Sequence, residues 1–283
     1  MRPIRCCPLA LTHLLLAVSC ADPTPRGPFA TPIDIHLTRY IGRLVTVDAL
    51  VGTDTARLIL DTGGGETIVS RAMAAKLGCR PSGRSVGFRM NGDRVELGLC
   101  PAATLIIGGV PFVHDQIGIW DVQQLLPAGA PPVDGVLSLK TFANQPFTLR
   151  LAEQRLTLET SQSFREEIAA MTRLRSRLAT GPDGDELTLF VRGALMDTAW
   201  FLIDNGNLDV VQAAPHLRGG TDTAAAGTWT ATLTLEGLPG VRTTFRTRDI
   251  IYDGVLSEEF LRLWIVAFNL SANEVWAARA PGN

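Results

Sequence analysis

Asp54-Thr55-Ala56-Arg57-Leu58-Ile59-Leu60-Asp61-Thr62-Gly63 returns, 143 positions on, as Asp197-Thr198-Ala199-Trp200-Phe201-Leu202-Ile203-Asp204-Asn205-Gly206. Each copy is an apolar run that ends in Asp-x-Gly. A short apolar run bounded by turn residues reads as a buried strand. Glycine after the Asp-x pair permits a tight turn and close approach of two backbones. Two carboxylates, each on the turn after a buried strand, suggest one shared site at a pseudo-twofold axis.

A second repeat follows the first. Asp134-Gly135-Val136-Leu137-Ser138 recurs as Asp253-Gly254-Val255-Leu256-Ser257. Both copies run on without a gap into a closing strand pair, Phe147 to Leu151 with Arg155 to Leu158, and Trp264 to Leu270 with Glu274 to Ala277. Two ordered motif pairs with aligned flanks read as duplication of one lobe, and two copies are too few for a solenoid.

Between the motifs the chain reads mostly as short strands. Ile33 to Thr38 and Leu44 to Val51 alternate apolar and polar residues. Ser70 and Gly78 punctuate a short helix. Val86 to Met90, Asn91-Gly92 and Arg94 to Leu97 form a hairpin with a strong turn signal. Trp229 to Leu235 and Arg242 to Arg246 form another, expected at the matching position of the second copy. Ser163 to Leu178 has near-helical apolar spacing and an arginine-rich face, which predicts a solvated amphipathic linker helix. The domain reading is therefore a leader over 1–19, a tether over 20–32, lobes over 33–160 and 186–283, and a linker helix over 161–185.

The leader has Arg2 and Arg5 before a short apolar stretch, Leu9 to Val18, as an export signal does. Ala17-Val18-Ser19-Cys20 resembles a bacterial lipobox, which would make Cys20 a lipidated first residue and the membrane a partner through its acyl chains. The expected location is the periplasm or cell envelope. Ordinary secretion, with cleavage at Ser19-Cys20-Ala21, is the alternative. Export permits a disulfide between Cys79 and Cys100, which flank the predicted hairpin, with free buried thiols as the alternative.

Over 283 residues the chain is 46% hydrophobic and 19% charged, with a formal net charge of −2. Nothing basic enough for a nucleic-acid partner is present. His13, His36, His114 and His216 make no metal-like spacing, so neither a metal nor a cofactor is expected. Gly83-Arg84-Ser85-Val86-Gly87 matches a serine-hydrolase elbow but lacks the strand before it and the helix after it. Gly63-Gly64-Gly65 lacks the third glycine of a dinucleotide loop, because position 68 is Ile.

Leu60-Asp61-Thr62-Gly63 resembles the catalytic loop of the pepsin and retropepsin group of aspartic proteases, here with duplicated lobes in one chain as in a bacterial member. Asp134-Gly135-Val136-Leu137 resembles the apolar segment that threads beneath that loop. The resemblance implies an all-β, two-lobed, acid-protease fold with a short linker helix and a cleft between lobes, in a monomer that takes a peptide or protein substrate. It implies that Asp61 and Asp204 are the catalytic carboxylates, sharing one proton and activating water as an endopeptidase does. Thr62, Gly63, Asn205 and Gly206 would brace the loops. The Val86 to Leu97 hairpin would be a flap, with Phe88, Met90, Asn91 and Gly92 at the substrate. The sequence departs from the pattern at Asn205, where Thr or Ser is usual, at Gly64 and Asn207, where Ser or Ala is usual, and at Ser138 and Ser257, where Gly is usual. These departures keep a second reading in view: a non-catalytic, lipid-anchored peptide-binding scaffold with a degenerate second lobe.

Overall fold

The structure, a computed structural model, describes residues 29–282 except 182, 183, 185, 219, 220 and 224–226, and only the backbone of 221–223. The leader and Cys20 lie outside the described residues. Among the described residues no helix is long and apolar enough to cross a membrane.

The described residues build three sheets. The first lobe is an eight-stranded sheet, in spatial order Thr38–Arg39, Val45–Val51, Asp54–Asp61, Gly135–Ser138, Ile68–Val69, Val110–Ile119, Arg94–Ile107 and Arg84–Phe88. The second lobe repeats the order with Ser176–Thr180, Leu187–Ala194, Thr198–Ile203, Gly254–Leu256, Val211–Ala213, Val241–Thr247, Thr228–Leu235 and Thr221–Thr223. The parallel pairs recur at the same places: Asp54–Asp61 beside Gly135–Ser138, and Thr198–Ile203 beside Gly254–Leu256. This is an all-β, two-lobed, internally duplicated chain.

A third, six-stranded sheet joins the lobes. Its order is Ile33–His36, Arg155–Leu158, Phe147–Arg150, Trp264–Asn269, Glu274–Arg279 and Thr172–Leu174. The two closing strand pairs read from the sequence meet at its centre. There Phe147 stacks on Phe268, rings 4.6 Å apart, both fully buried. Burial of such rings ties the halves together through apolar contact.

The Asp-Gly-Val-Leu segments lie wedged between two strands, which explains their glycines. A side chain on Gly135 would meet Ile68 O at 2.0 Å, and one on Gly254 would meet the Phe201 ring at 2.4 Å. The preceding aspartates are structural. Asp134 accepts the Arg57 N–H at 2.9 Å, and Asp253 accepts the Trp200 N–H at 3.0 Å, so each satisfies the strand N–H just ahead of the parallel pairing that leads to the Asp-x-Gly turn.

Two readings are corrected. The linker helix is short: Ser161–Ile168 is helical, capped by Thr160, and the chain then enters strands Thr172–Leu174 and Ser176–Thr180. Beyond Ile168 the alternation of Arg173, Arg175 and Arg177 with Leu174, Ser176 and Leu178 satisfies a sheet edge, and pairing with Val275 to Ala277 and with Leu187 to Val191 overrides the helical spacing. The second-copy hairpin also has a different counterpart. Thr228–Leu235 with Val241–Thr247 matches Arg94–Ile107 with Val110–Ile119, while Arg84–Phe88 with Arg94–Ile107 matches Thr221–Thr223 with Thr228–Leu235.

The short helix Arg71–Lys76 is capped as expected, with the Ser70 hydroxyl accepting from Met73 N, and it ends at Gly78 in the left-handed region. Cys79 and Cys100 form a disulfide, with Cα atoms 5.7 Å apart, tying that helix's end to the long strand Arg94–Ile107.

Candidate active site between the lobes

The pairing of each Asp-bearing strand with its Asp-Gly-Val-Leu partner carries both turns to the interface of the lobes. There the Asp61 and Asp204 carboxyl groups hydrogen-bond to one another. The glycines after them permit this contact: a methyl group on Gly63 would lie 2.3 Å from Asp204 Cγ, and one on Gly206 would lie 2.6 Å from Asp61 Cγ. Each turn therefore packs against the carboxyl group of the other.

Asp61 Oδ1 accepts N–H bonds from Gly63 and Gly64, both at 2.9 Å. Asp204 Oδ1 accepts from Asn207 N at 3.1 Å. Burial pushes both carboxyls above the ordinary range; the backbone N–H groups oppose the rise. Asp204 is raised the further, because after burial the charge of Asp61 and a hydrogen bond donated to Asp61 also favour its protonated form. The two groups share this environment and titrate as a unit.

Beneath the carboxyls the loops are cross-linked. Thr62 N donates to Asn205 Oδ1 at 2.7 Å, and Asn205 N donates to Thr62 Oγ1 at 3.0 Å. Asn205 Nδ2 also donates to Leu60 O at 2.9 Å, and both side chains are fully buried. An amide thus supplies the acceptor and the donor that a hydroxyl combines in one atom. The other departures behave differently. Ser138 joins a buried hydroxyl network through Thr67, at 3.0 Å. Gly64 contributes only its N–H, whereas Asn207 uses its side-chain oxygen to accept from Asp209 N and Gln212 Nε2.

A cavity of about 670 Å³ opens above the pair. Asp61, Gly63, Asp204 and Gly206 form its floor, and Phe88, Met90 and Asn91 of the Arg84–Phe88 to Arg94–Ile107 hairpin border it from above. Gly92 makes the hairpin turn at φ +84° and does not line the cavity. The hairpin tip reaches the second lobe, with Ile251 N donating to Met90 O at 2.9 Å. Thr62 and Asn205 lie under the floor. Cys79 and Cys100 are behind the hairpin, away from the site. Leu97, Val122, Leu125 and Leu202 give the cavity apolar walls.

Sequence reasoning missed Glu66, Glu186, Gln212, Arg248 and Tyr252, which also line it. Gln212 lies in the strand Val211–Ala213 and pairs there as Ile68 does in the first copy, so aligning the two copies strand by strand would have placed it at the cleft; Tyr252 aligns with Val133, which does not line the cavity. Glu66 and Glu186 carry no such signal.

No family model matches the chain, and no curated protein matches it. Its likenesses are to solved structures. It is similar to basic 7S globulin from soybean, at 9% identity and a TM-score of 0.54, over 88% of this chain and 95% of that one. It is similar to conglutin gamma, a basic 7S globulin from lupine seeds, at 9% identity and a TM-score of 0.56, over 89% of this chain and 96% of that one.

The fold is the two-lobed, pepsin-like one. The expected membership in a bacterial aspartic protease family is overturned. The similar structures are named as globulins, no family matches, and identity this low carries a fold and nothing finer.

Proposed function

We propose that this protein holds an extended peptide in its interlobe cleft. The observation that carries the reading is the cavity itself: apolar walls for side chains, a hairpin roof, and a floor of hydrogen-bonding groups contributed equally by both lobes. Holding without turnover is the reading nearer to the similar structures, which are named as globulins rather than as proteases.

The contact between Asp61 and Asp204 favours a second, finer reading, in which the bound peptide is hydrolysed. Asp61, ionised and fixed by Gly63 N and Gly64 N, would take a proton from a water held between the carboxyls. Asp204, protonated, would donate to the scissile carbonyl oxygen as the tetrahedral centre forms. The Thr62–Asn205 cross-link holds both groups in place through the step, and no covalent intermediate is involved.

One experiment separates the readings. Full-length protein and its Asp204→Asn variant are incubated with a diverse peptide library from acid to neutral pH, and binding and cleavage are both read. Binding by both proteins without cleavage is the scaffold outcome. Cleavage by wild type that vanishes in Asp204→Asn is the peptidase outcome. Absence of any bound peptide refutes the cleft reading altogether.

The proposal extends to the N-terminus. Cys20 would carry acyl chains that hold the folded lobes at a cell-envelope membrane as a monomer, since one chain supplies both halves of the cleft. Loss of labelled palmitate incorporation in Cys20→Ser checks the anchor; incorporation that persists there rules it out.

A further inference from the structure

The two tyrosines of this chain, Tyr40 and Tyr252, have separate fates. Tyr40 donates its O–H to Pro131 O at 2.5 Å and packs in a small first-lobe cluster with Leu44, Ile59, Val133 and Val136. A matching second-lobe cluster contains Phe190, Leu202 and Val255, with Tyr252 packed on it. Aligned on the Asp-Gly-Val-Leu motif, Tyr252 takes the place of the buried Val133. One copy thus closes the cluster with an apolar group, and the other brings a phenol to the same point at the rim of the cleft.

Among the described residues, Tyr252 is the only side-chain hydroxyl that lines the cavity. Its ring is fixed edge-on to Phe190, with centroids 5.2 Å apart, and Arg177 covers the Phe190 ring at 5.0 Å. Three other cleft donors are engaged within the protein. Gln212 Nε2 bonds Asn207, Arg248 bonds Asp209, and Asn91 Nδ2 bonds Asp93.

We propose that Tyr252 is the hydroxyl that grips a bound peptide, its O–H donating to a peptide carbonyl oxygen lying across Asp61 and Asp204. This rests on the peptide-cleft reading and holds whether or not the peptide is cut. The environment suits a donor. Burial, then the nearby charges of Glu186 and Asp204, push the phenol above its ordinary range, so it keeps its proton throughout the neutral and acid range. The ring is already immobilised, so little rotamer freedom is lost when a ligand arrives.

The test uses Asp204→Asn protein, which cannot turn over, and a short fluorescein-labelled peptide with a central Leu-Leu pair, followed by anisotropy. Adding Tyr252→Phe should weaken binding about three- to tenfold, the net value of one neutral hydrogen bond, with an unchanged melting temperature. Equal affinities with and without the hydroxyl overturn the proposal and leave the cleft reading standing. Failure of peptides to bind wild type sinks the cleft reading, and the proposal with it.

A second measurement needs no change at position 252. In a Tyr40→Phe background the ultraviolet titration reports Tyr252 alone. Saturating peptide should move that titration to higher pH, and the Asp204→Asn change should move it down in the free protein. A phenol titration indifferent to peptide overturns the proposal.

Discussion

Thr62 and Asn205 exchange hydrogen bonds across the pseudo-twofold axis, each backbone N–H donating to the other's side-chain oxygen, at 2.7 and 3.0 Å. The two residues are 143 positions apart and fully buried. Asn205 adds a third bond, to Leu60 O. Removing this side chain by Asn205→Ala leaves a buried N–H and a buried C=O without partners, which should cost about 2–4 kcal/mol in urea unfolding. Asn205→Thr restores an acceptor and a donor in one hydroxyl and should stay within about 1 kcal/mol of wild type. Similar losses in both variants would show that the cross-link is not what the amide supplies.

Gly206 stands against Asp61 as Gly63 stands against Asp204. Gly206→Ala inserts a methyl group 2.6 Å from Asp61 Cγ, so the carboxyls must separate. The expected outcome is a lower melting temperature together with a fall of the Asp204 titration toward the ordinary carboxylate range, since the neighbouring charge and hydrogen bond recede. Carboxyls that titrate as in wild type would contradict the close packing of the turns.

How much of this was readable in the chain differs by level. The Asp-x-Gly and Asp-Gly-Val-Leu repeats carried the sheet topology, because an apolar run between turn residues has few ways to be buried. The stretch from Met171 to Thr180 did not, because its helical spacing is also compatible with edge strands, and the partners that decide between them lie in Glu274–Arg279 and Leu187–Ala194. Asp61, Asp204 and the hairpin that borders the cavity could be located by motif and order. Tyr252 and Glu186 could not, since their place in the cleft depends on how two distant lobes meet. Asn205 looked like a defect in sequence and is a sound cross-link in space.

The carboxyl pair makes stability pH-dependent. Both folded values are raised, so the folded state holds its proton where the unfolded chain has lost it. The stabilisation is fully present below the ordinary carboxylate range and disappears as pH rises through the raised folded values. Asp204→Asn keeps a neutral group there at every pH. Its melting temperature should therefore gain on wild type as pH rises toward neutrality. A difference between the two proteins that is constant with pH would be inconsistent with a raised pair.

His114 acts in the opposite sense. Burial, aided by the positive charge of Lys140, lowers it from 6.5 to about 4, against the pull of Asp115. The folded state keeps it neutral, so its contribution is complete above pH 6.5 and is lost as pH falls through about 4. That is worth about 3 kcal/mol at most. His114→Leu should flatten the loss of stability between those values, which denaturant titrations at several pH values would detect.

Arg43 of the first lobe reaches Glu258 of the second, which is fully buried, at 2.6 Å, and bonds Leu208 O beside the Asp204 loop at 3.2 Å. Arg262 meets the same carboxylate at 2.7 Å. Arg43→Leu leaves that buried charge half-compensated and should cost about 1–3 kcal/mol. Glu258→Leu in the same protein should recover part of the loss, and a strictly additive double variant would show that the ion pair does not couple the lobes.

The carboxyl contact is tested most directly by the side-chain carbon resonances of Asp61 and Asp204, followed by NMR across pH in wild type and in Asp61→Asn. The expected result is a joint, two-step titration with one step well above the ordinary carboxylate range, and a lower Asp204 titration once Asp61 is an amide. Two independent titrations at ordinary values, unaffected by that substitution, would mean that the two lobes do not share a proton across the cleft.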